Sequence, residues 1–161
     1  NQCIPSGFRS HFHSRLIMSG RVTTSIKDHI GFVTFFHPQS NSLPGAVLRE
    51  LATAIEAAGK DPDIRVIVLQ SEGEKSFCAG ASFDELVAID DLEQGKIFFS
   101  GFAAVINAMR KAPKFVLGRV QGKAVGGGVG LACAADYTFA TTHSAKCDYD
   151  QHEHAVATGG P

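Results

Sequence analysis

Val120-Gln-Gly-Lys-Ala-Val-Gly-Gly-Gly-Val-Gly-Leu131 joins two segments of different character. Before it, Phe115-Val-Leu-Gly-Arg-Val120 is mostly apolar, the pattern of a strand buried on both faces of a parallel sheet. After it, Gly126 to Ala135 is small and apolar, which predicts a tightly packed helix. The order strand, glycine turn, helix recurs upstream. Ile64-Arg-Val-Ile-Val-Leu69 is a second apolar strand. A polar loop leads from it into Ser76-Phe-Cys-Ala-Gly-Ala-Ser-Phe-Asp-Glu-Leu86, where a helix is expected from about Ser82.

The flanking segments complete an alternation. Arg21–Lys27 and Ile30–Phe36 are β-rich, and Asp28-His29 between them is a turn candidate, so a hairpin is predicted. His37-Pro38 ends it, because Pro has no N–H for a ladder. Asn41-Ser42 is placed to cap a helix starting near Leu43-Pro44. Val47, Leu48, Leu51, Ile55 and Ala58 put one face of that helix on a core, and Gly59 and Asp61-Pro62 stop it. Phe83–Ile89 reads as a short helix, Leu92–Arg110 as a long one ended by Ala112-Pro113, and Tyr137–Ala140 as a strand. Strands alternating with helices make an α/β domain. No internal repeat is present.

Composition agrees. The chain has 161 residues, 44% hydrophobic and 19% charged. A chain of this size exposes roughly 25,000 Å² unfolded and roughly 8,000 Å² folded, enough burial for an ordinary core. Wholesale disorder needs lower hydrophobicity and higher net charge. Fifteen Lys+Arg against sixteen Asp+Glu leave a net charge of -1, so no nucleic acid or anionic membrane is expected as the main partner. No apolar run reaches the ~18 residues of a membrane span. Cys3, Cys78, Cys133 and Cys147 form no CxxC pair and no disulfide framework. A reduced setting follows, cytoplasmic or a comparable organelle lumen.

The two glycine-containing turns carry the chemistry. Ala79, Gly80 and Ala81 have almost no side chain, so a ligand carbonyl can approach their N–H groups. The second turn opens a helix, whose N-terminus offers free N–H groups and a positive dipole end. Two such turns can each aim one N–H at a single oxygen, forming an oxyanion hole. The plain alternative for a Gly-Gly-Gly run is close helix–strand packing. The stretch matches neither G-x-x-x-x-G-K-[ST] nor G-x-G-x-x-G, which weakens phosphate and dinucleotide readings.

Taken together, these stretches resemble the enoyl-CoA hydratase/isomerase (crotonase) superfamily. Phe77-Cys-Ala-Gly-Ala-Ser82 is similar to its F-x-A-G-A-D turn. Gly122-Lys-Ala-Val-Gly-Gly-Gly-Val-Gly-Leu-Ala-Cys-Ala-Ala-Asp136 is similar to its G-x-A-x-G-G-G-x-x-L-A-x-x-x-D segment. His37-Pro-Gln-Ser-Asn-Ser-Leu43 is similar to its P-x-x-x-N-x-L opening. The resemblance covers about residues 21–145. It implies the ClpP/crotonase fold of stacked ββα units, here C-terminally truncated, with residues 18–145 as the core. It also implies an acyl-CoA thioester as partner and substrate, no cofactor beyond that coenzyme A, and a homo-oligomer (trimer or hexamer).

Carried over, Ala79 N–H and Gly127 N–H hold the thioester oxygen while an enolate forms. Gly126 and Gly128 shape the turn, and Gly80, Ala81 and Ser82 flank the acyl-pantetheine channel. Ser82 replaces a frequent Asp, at a place where the backbone makes the key contact. Two departures weigh more. Hydratases of the family carry a Glu two residues beyond the Gly-Gly-Gly run, and Gly130 stands here. Glycine moves no proton, so two-carboxylate water addition loses a partner. The other hydratase Glu, the lone acid–base group of many isomerases, lies about twenty residues further on. That count lands on Asp150, and a small gap brings Glu153 into register instead. The implied activity is acyl-CoA isomerisation or decarboxylation rather than hydration. The alternatives are a truncated, catalytically inactive family member or an interaction fragment. A related hydrolase is disfavoured because no Ser-His-Asp set stands out.

Other residues read more plainly. Cys78 is expected to be a small buried thiol. Cys147, Asp148, His152 and His154 fit no zinc spacing, so no metal is expected. Lys123, Arg65 and Lys60 are expected in solvent rather than on coenzyme A. Phe98, Phe99 and Phe102 are expected to be core or subunit contacts rather than an acyl pocket. Residues 1–17 contain two Arg and two His and no acid. They read as upstream read-through ahead of Met18 or as a transit-peptide remnant, which would make the setting organellar. Residues 146–161 read as an atypical tail.

Overall fold

Asp28 and His29 take φ values of +51° and +63°. This turn, which suits strand twist, joins β1 (Arg21–Lys27) to β2 (Ile30–Phe36) in an antiparallel pair running from Arg21↔Phe36 to Lys27↔Ile30. The computed structural model describes residues 20–142 and 145–148. In it the predicted hairpin forms with its expected ends.

Beyond β2 the chain makes α1 (Gly45–Lys60), whose buried residues include Val47, Leu48, Leu51, Ile55 and Ala58. The expected cap differs. Pro44 is the N-cap and no side chain caps the helix. Gly45 N–H instead donates to Glu85 Oε2 at 2.8 Å, so a carboxylate distant in sequence satisfies one of the helix's orphan donors.

The remaining strands form two sheets. β3 (Val66–Ser71), β5 (Phe115–Val120) and β7 (Tyr137–Ala140) extend the first, in the order β1-β2-β3-β5-β7, with every pair after the hairpin parallel. β4 (Ser76–Cys78), β6 (Lys123–Val125) and β8 (Cys147–Asp148) form the second, in that order and parallel. The chain runs from β3 to β4 and then through α2 (Phe83–Val87) and α3 (Leu92–Lys111). It next runs from β5 to β6 and α4 (Gly127–Ala134), and then from β7 to β8. The units β3-β4 and β5-β6 each give one strand to each sheet before their helices, so the α/β class is realised as stacked ββα units. The sequence pattern does not show the second sheet, because strands of two or three residues are too short to have a period. Its last strand, β8, lies beyond Ala145, where the sequence pattern is lost.

β3 and β5 were expected to be buried on both faces. Each is instead fully buried only on alternate residues: Ile67, Leu69 and Ser71 in β3, and Val116, Gly118 and Val120 in β5. That inner face packs with Val33, Phe35, Leu51, Ile55 and Val105 in one core. The outer face is more open, and Phe115 is 65% exposed. Phe35 and Phe77 meet edge to face at 5.4 Å, tying β4 to this core. Leu51 is fully buried, so Leu51→Ala is expected to lower unfolding free energy by about 2–5 kcal/mol in a denaturant titration. Among the described residues no helix is long and apolar enough to cross a membrane.

Candidate active site

The first turn is built at the end of β4. Gly80 has φ +90°, a conformation that glycine adopts without strain. Residues 79–82 then run alongside residues 41–43. Ala79 N–H donates to Asn41 O at 3.2 Å, Leu43 N–H to Gly80 O at 2.8 Å, and Ser82 N–H to Leu43 O at 3.1 Å. Ala81 bridges Leu43 in this short parallel ladder, and its own N–H has no hydrogen-bond partner among the described residues. Ser82 is buried, and its hydroxyl caps α2 by accepting from Glu85 N–H at 3.4 Å.

The second turn leaves β6. Gly126 is the N-cap of α4, with φ +52° and ψ -119°, outside the regions open to side-chain-bearing residues. Val129 N–H donates to Gly126 O at 3.0 Å. The N–H groups of Gly127 and Gly128 come before that bond and have no partner among the described residues, so the positive end of the helix is open there.

Pairing of β4 with β6, through Ser76↔Lys123 and Cys78↔Ala124, makes both turns leave the small sheet as neighbours. A Cβ built on Gly80 would lie 3.2 Å from Val125 O and 3.9 Å from Gly127 N. A Cβ on Gly128 would lie 2.5 Å from Cys78 O. α3 lies across α4. The Phe102 ring would be 2.7 Å from a Cβ on Gly127, and Ile106 Cδ1 would be 3.3 Å from one on Gly130. Burial pushes the Cys78 thiol up to about 12, against a hydrogen bond to the Gly80 backbone that works the other way. A neutral thiol is no nucleophile near pH 7. Burial also lowers the His37 pKa, opposed by Asp84 and Glu85.

The structure thus brings Gly80 close to Val125 and Gly127, and Cys78 close to Gly128. The two alanines of the first turn differ. Ala79 N–H is committed to Asn41 O, and two residues further on Ala81 N–H is open. The turn sequence shows three small residues in a row and cannot say which amide the neighbouring loop takes. Ser82 turns its side chain to the helix cap. Phe102 separates from the other two phenylalanines. It is half-buried against the second turn, whereas Phe98 and Phe99 meet edge to face and Phe99 is 71% exposed. Lys60, Arg65 and Lys123 are exposed. Asp150 and Glu153 lie outside the described residues, as do His152 and His154.

Residues 25–158 match the family model described as Enoyl-CoA hydratase/isomerase, a stretch that includes residues 146–158. The mitochondrial methylglutaconyl-CoA hydratase of Rattus norvegicus is 36% identical over 120 residues, 74% of this chain and 38% of that protein. The (E)-benzylidenesuccinyl-CoA hydratase of Thauera aromatica is 33% identical over 130 residues, 76% of this chain and 48% of that protein. The crystal structure of an enoyl-CoA hydratase from Bacillus anthracis superposes with a TM-score of 0.73 at 27% identity, covering 78% of this chain and 49% of that one. An enoyl-CoA hydratase/isomerase (crotonase) structure from Legionella pneumophila gives 0.71 at 29% identity, with the same two coverages. The chain spans less than half the length of each of these proteins. Its ββα units are those of the crotonase fold, and the chain belongs to the enoyl-CoA hydratase/isomerase family.

Proposed function

We propose that this chain provides an oxyanion hole for an acyl-CoA thioester, with Ala81 N–H and Gly127 N–H as the two donors. The observation behind this is that Ala81 N–H and Gly127 N–H have no hydrogen-bond partner among the described residues, while a Cβ built on Gly80, next to Ala81, would lie 3.9 Å from Gly127 N. Loss of a proton from the carbon beside the thioester carbonyl moves an electron pair towards the oxygen. Donors already fixed there stabilise that charge by several kcal/mol without reorganising. The family membership and the coenzyme A thioesters named for its relatives favour this substrate class. Gly126 and Gly128 set the turn, and Gly80 and Ala81 present the other side.

In this reading one carboxylate, Glu153 or Asp150, moves the proton. Double-bond isomerisation or decarboxylation is favoured over hydration. Gly130 has no proton to offer, and its nearest side-chain neighbour is the apolar Ile106. Coenzyme A enters with the substrate. A homo-oligomer, trimer or hexamer, is the assembly that the family suggests.

Titration with acetoacetyl-CoA tests the oxyanion hole, because its enolate absorbs in the near ultraviolet. A saturable enolate band is expected. A folded chain that gives no band would overturn the assignment and leave a catalytically inactive family member.

A further inference from the structure

Asn41 lies at the first turn, is only 3% exposed, and adopts a left-handed φ of +58°. All of its polar groups are used within the protein. Its N–H donates to His37 O at 3.0 Å, and its Oδ1 accepts from His37 N–H at 2.8 Å. Its Nδ2 donates to Glu72 O and to Ser76 O, both at 2.9 Å. Its carbonyl accepts from Ala79 N–H at 3.2 Å. One residue therefore clamps the segment from Glu72 to Ala79 at three points. That segment contains β4, which hands the chain to Gly80 and Ala81 and pairs with β6 below Gly126.

Resting on the oxyanion-hole reading, we propose that Asn41 is a positioning residue whose carboxamide sets where Ala81 N–H stands relative to Gly127 N–H. The residue type suits the task. Asn is among the few side-chain-bearing residues that accept left-handed φ, and its amide nitrogen has two hydrogens for two carbonyls. Asp keeps the backbone preference and the acceptor for His37 N–H but faces both carbonyls with an oxygen. Gly keeps the backbone and removes the side chain.

The test compares the full chain with its Asn41→Asp and Asn41→Gly variants, by the acetoacetyl-CoA enolate band at saturation and by steady-state turnover of an acyl-CoA. Leu51→Ala serves as a variant that is destabilised far from the turns. Both Asn41 variants are expected to fold, to lose most of the band, and to lower kcat by about 10- to 100-fold with KM within about threefold, as displaced catalytic groups do. Leu51→Ala is expected to keep band and kcat below its melting temperature. A full band in the unsubstituted protein that survives in either Asn41 variant overturns the positioning role alone. Failure of both Asn41 variants to fold also overturns it, by making the residue structural. No band in the unsubstituted protein overturns the oxyanion-hole reading, and this inference with it.

Discussion

An ester in place of the Ala81 amide is expected to lower turnover by about 10²–10³-fold, the usual cost of one oxyanion donor. Lactic acid incorporated at position 81 removes the N–H and leaves the methyl group and chain path unchanged. The expectation follows from the ladder that holds the turn. Ala79 and Ser82 give their N–H groups to Asn41 and Leu43 and Gly80 gives its own to Cys78 Sγ, so within this turn Ala81 N–H alone has no partner among the described residues. The same exchange at position 79 removes the bond to Asn41 O. It is expected to cost about 1 kcal/mol of stability, the value of one hydrogen bond, and to reduce turnover far less. Steady-state kinetics and denaturation of the two ester proteins provide the comparison. Heavy loss at 79 with little at 81 would restore Ala79 as the donor and discard the assignment made here.

Gly128→Ala is expected to damage fold and site together, whereas Gly126→Ala damages mainly the turn. A methyl at 128 would lie 2.5 Å from Cys78 O and 2.7 Å from Cys78 Cβ. Neither atom can rotate away, so β4 and α4 must separate, at a cost of about 3 kcal/mol or more. For a domain of this size that lowers the melting temperature by roughly 6–12 °C. The enolate band should vanish too, since the separating elements carry the two N–H donors. At 126 a methyl would meet nothing within 4 Å, but φ is +52° there, and such backbone strain costs about 1–3 kcal/mol. Calorimetry and acetoacetyl-CoA titration of both variants would show the difference. A Gly128→Ala protein as stable as its parent, with its band intact, would mean that the close approach of β4 to α4 is not needed.

The sequence alone determined what depends on neighbours along the chain. The hairpin follows from β-rich runs around Asp28-His29. The buried face of α1 follows from the spacing of Val47, Leu48, Leu51 and Ile55. The β5–turn–α4 unit follows from a run of glycines between an apolar strand and a small-residue helix. The two turn motifs also identified the family, because backbone chemistry at a turn demands small residues at fixed places. Tertiary structure decided the rest. The second sheet is made of strands of two or three residues, whose pairing depends on partners far along the chain. The capping of α1 by Glu85, the packing of Phe102 on Gly127 and the clamp at Asn41 join residues that no local period relates. The choice between Ala79 and Ala81 is of the same kind. Their side chains are identical, and which amide is left for a ligand is set by which one the loop at residues 41–43 has already taken.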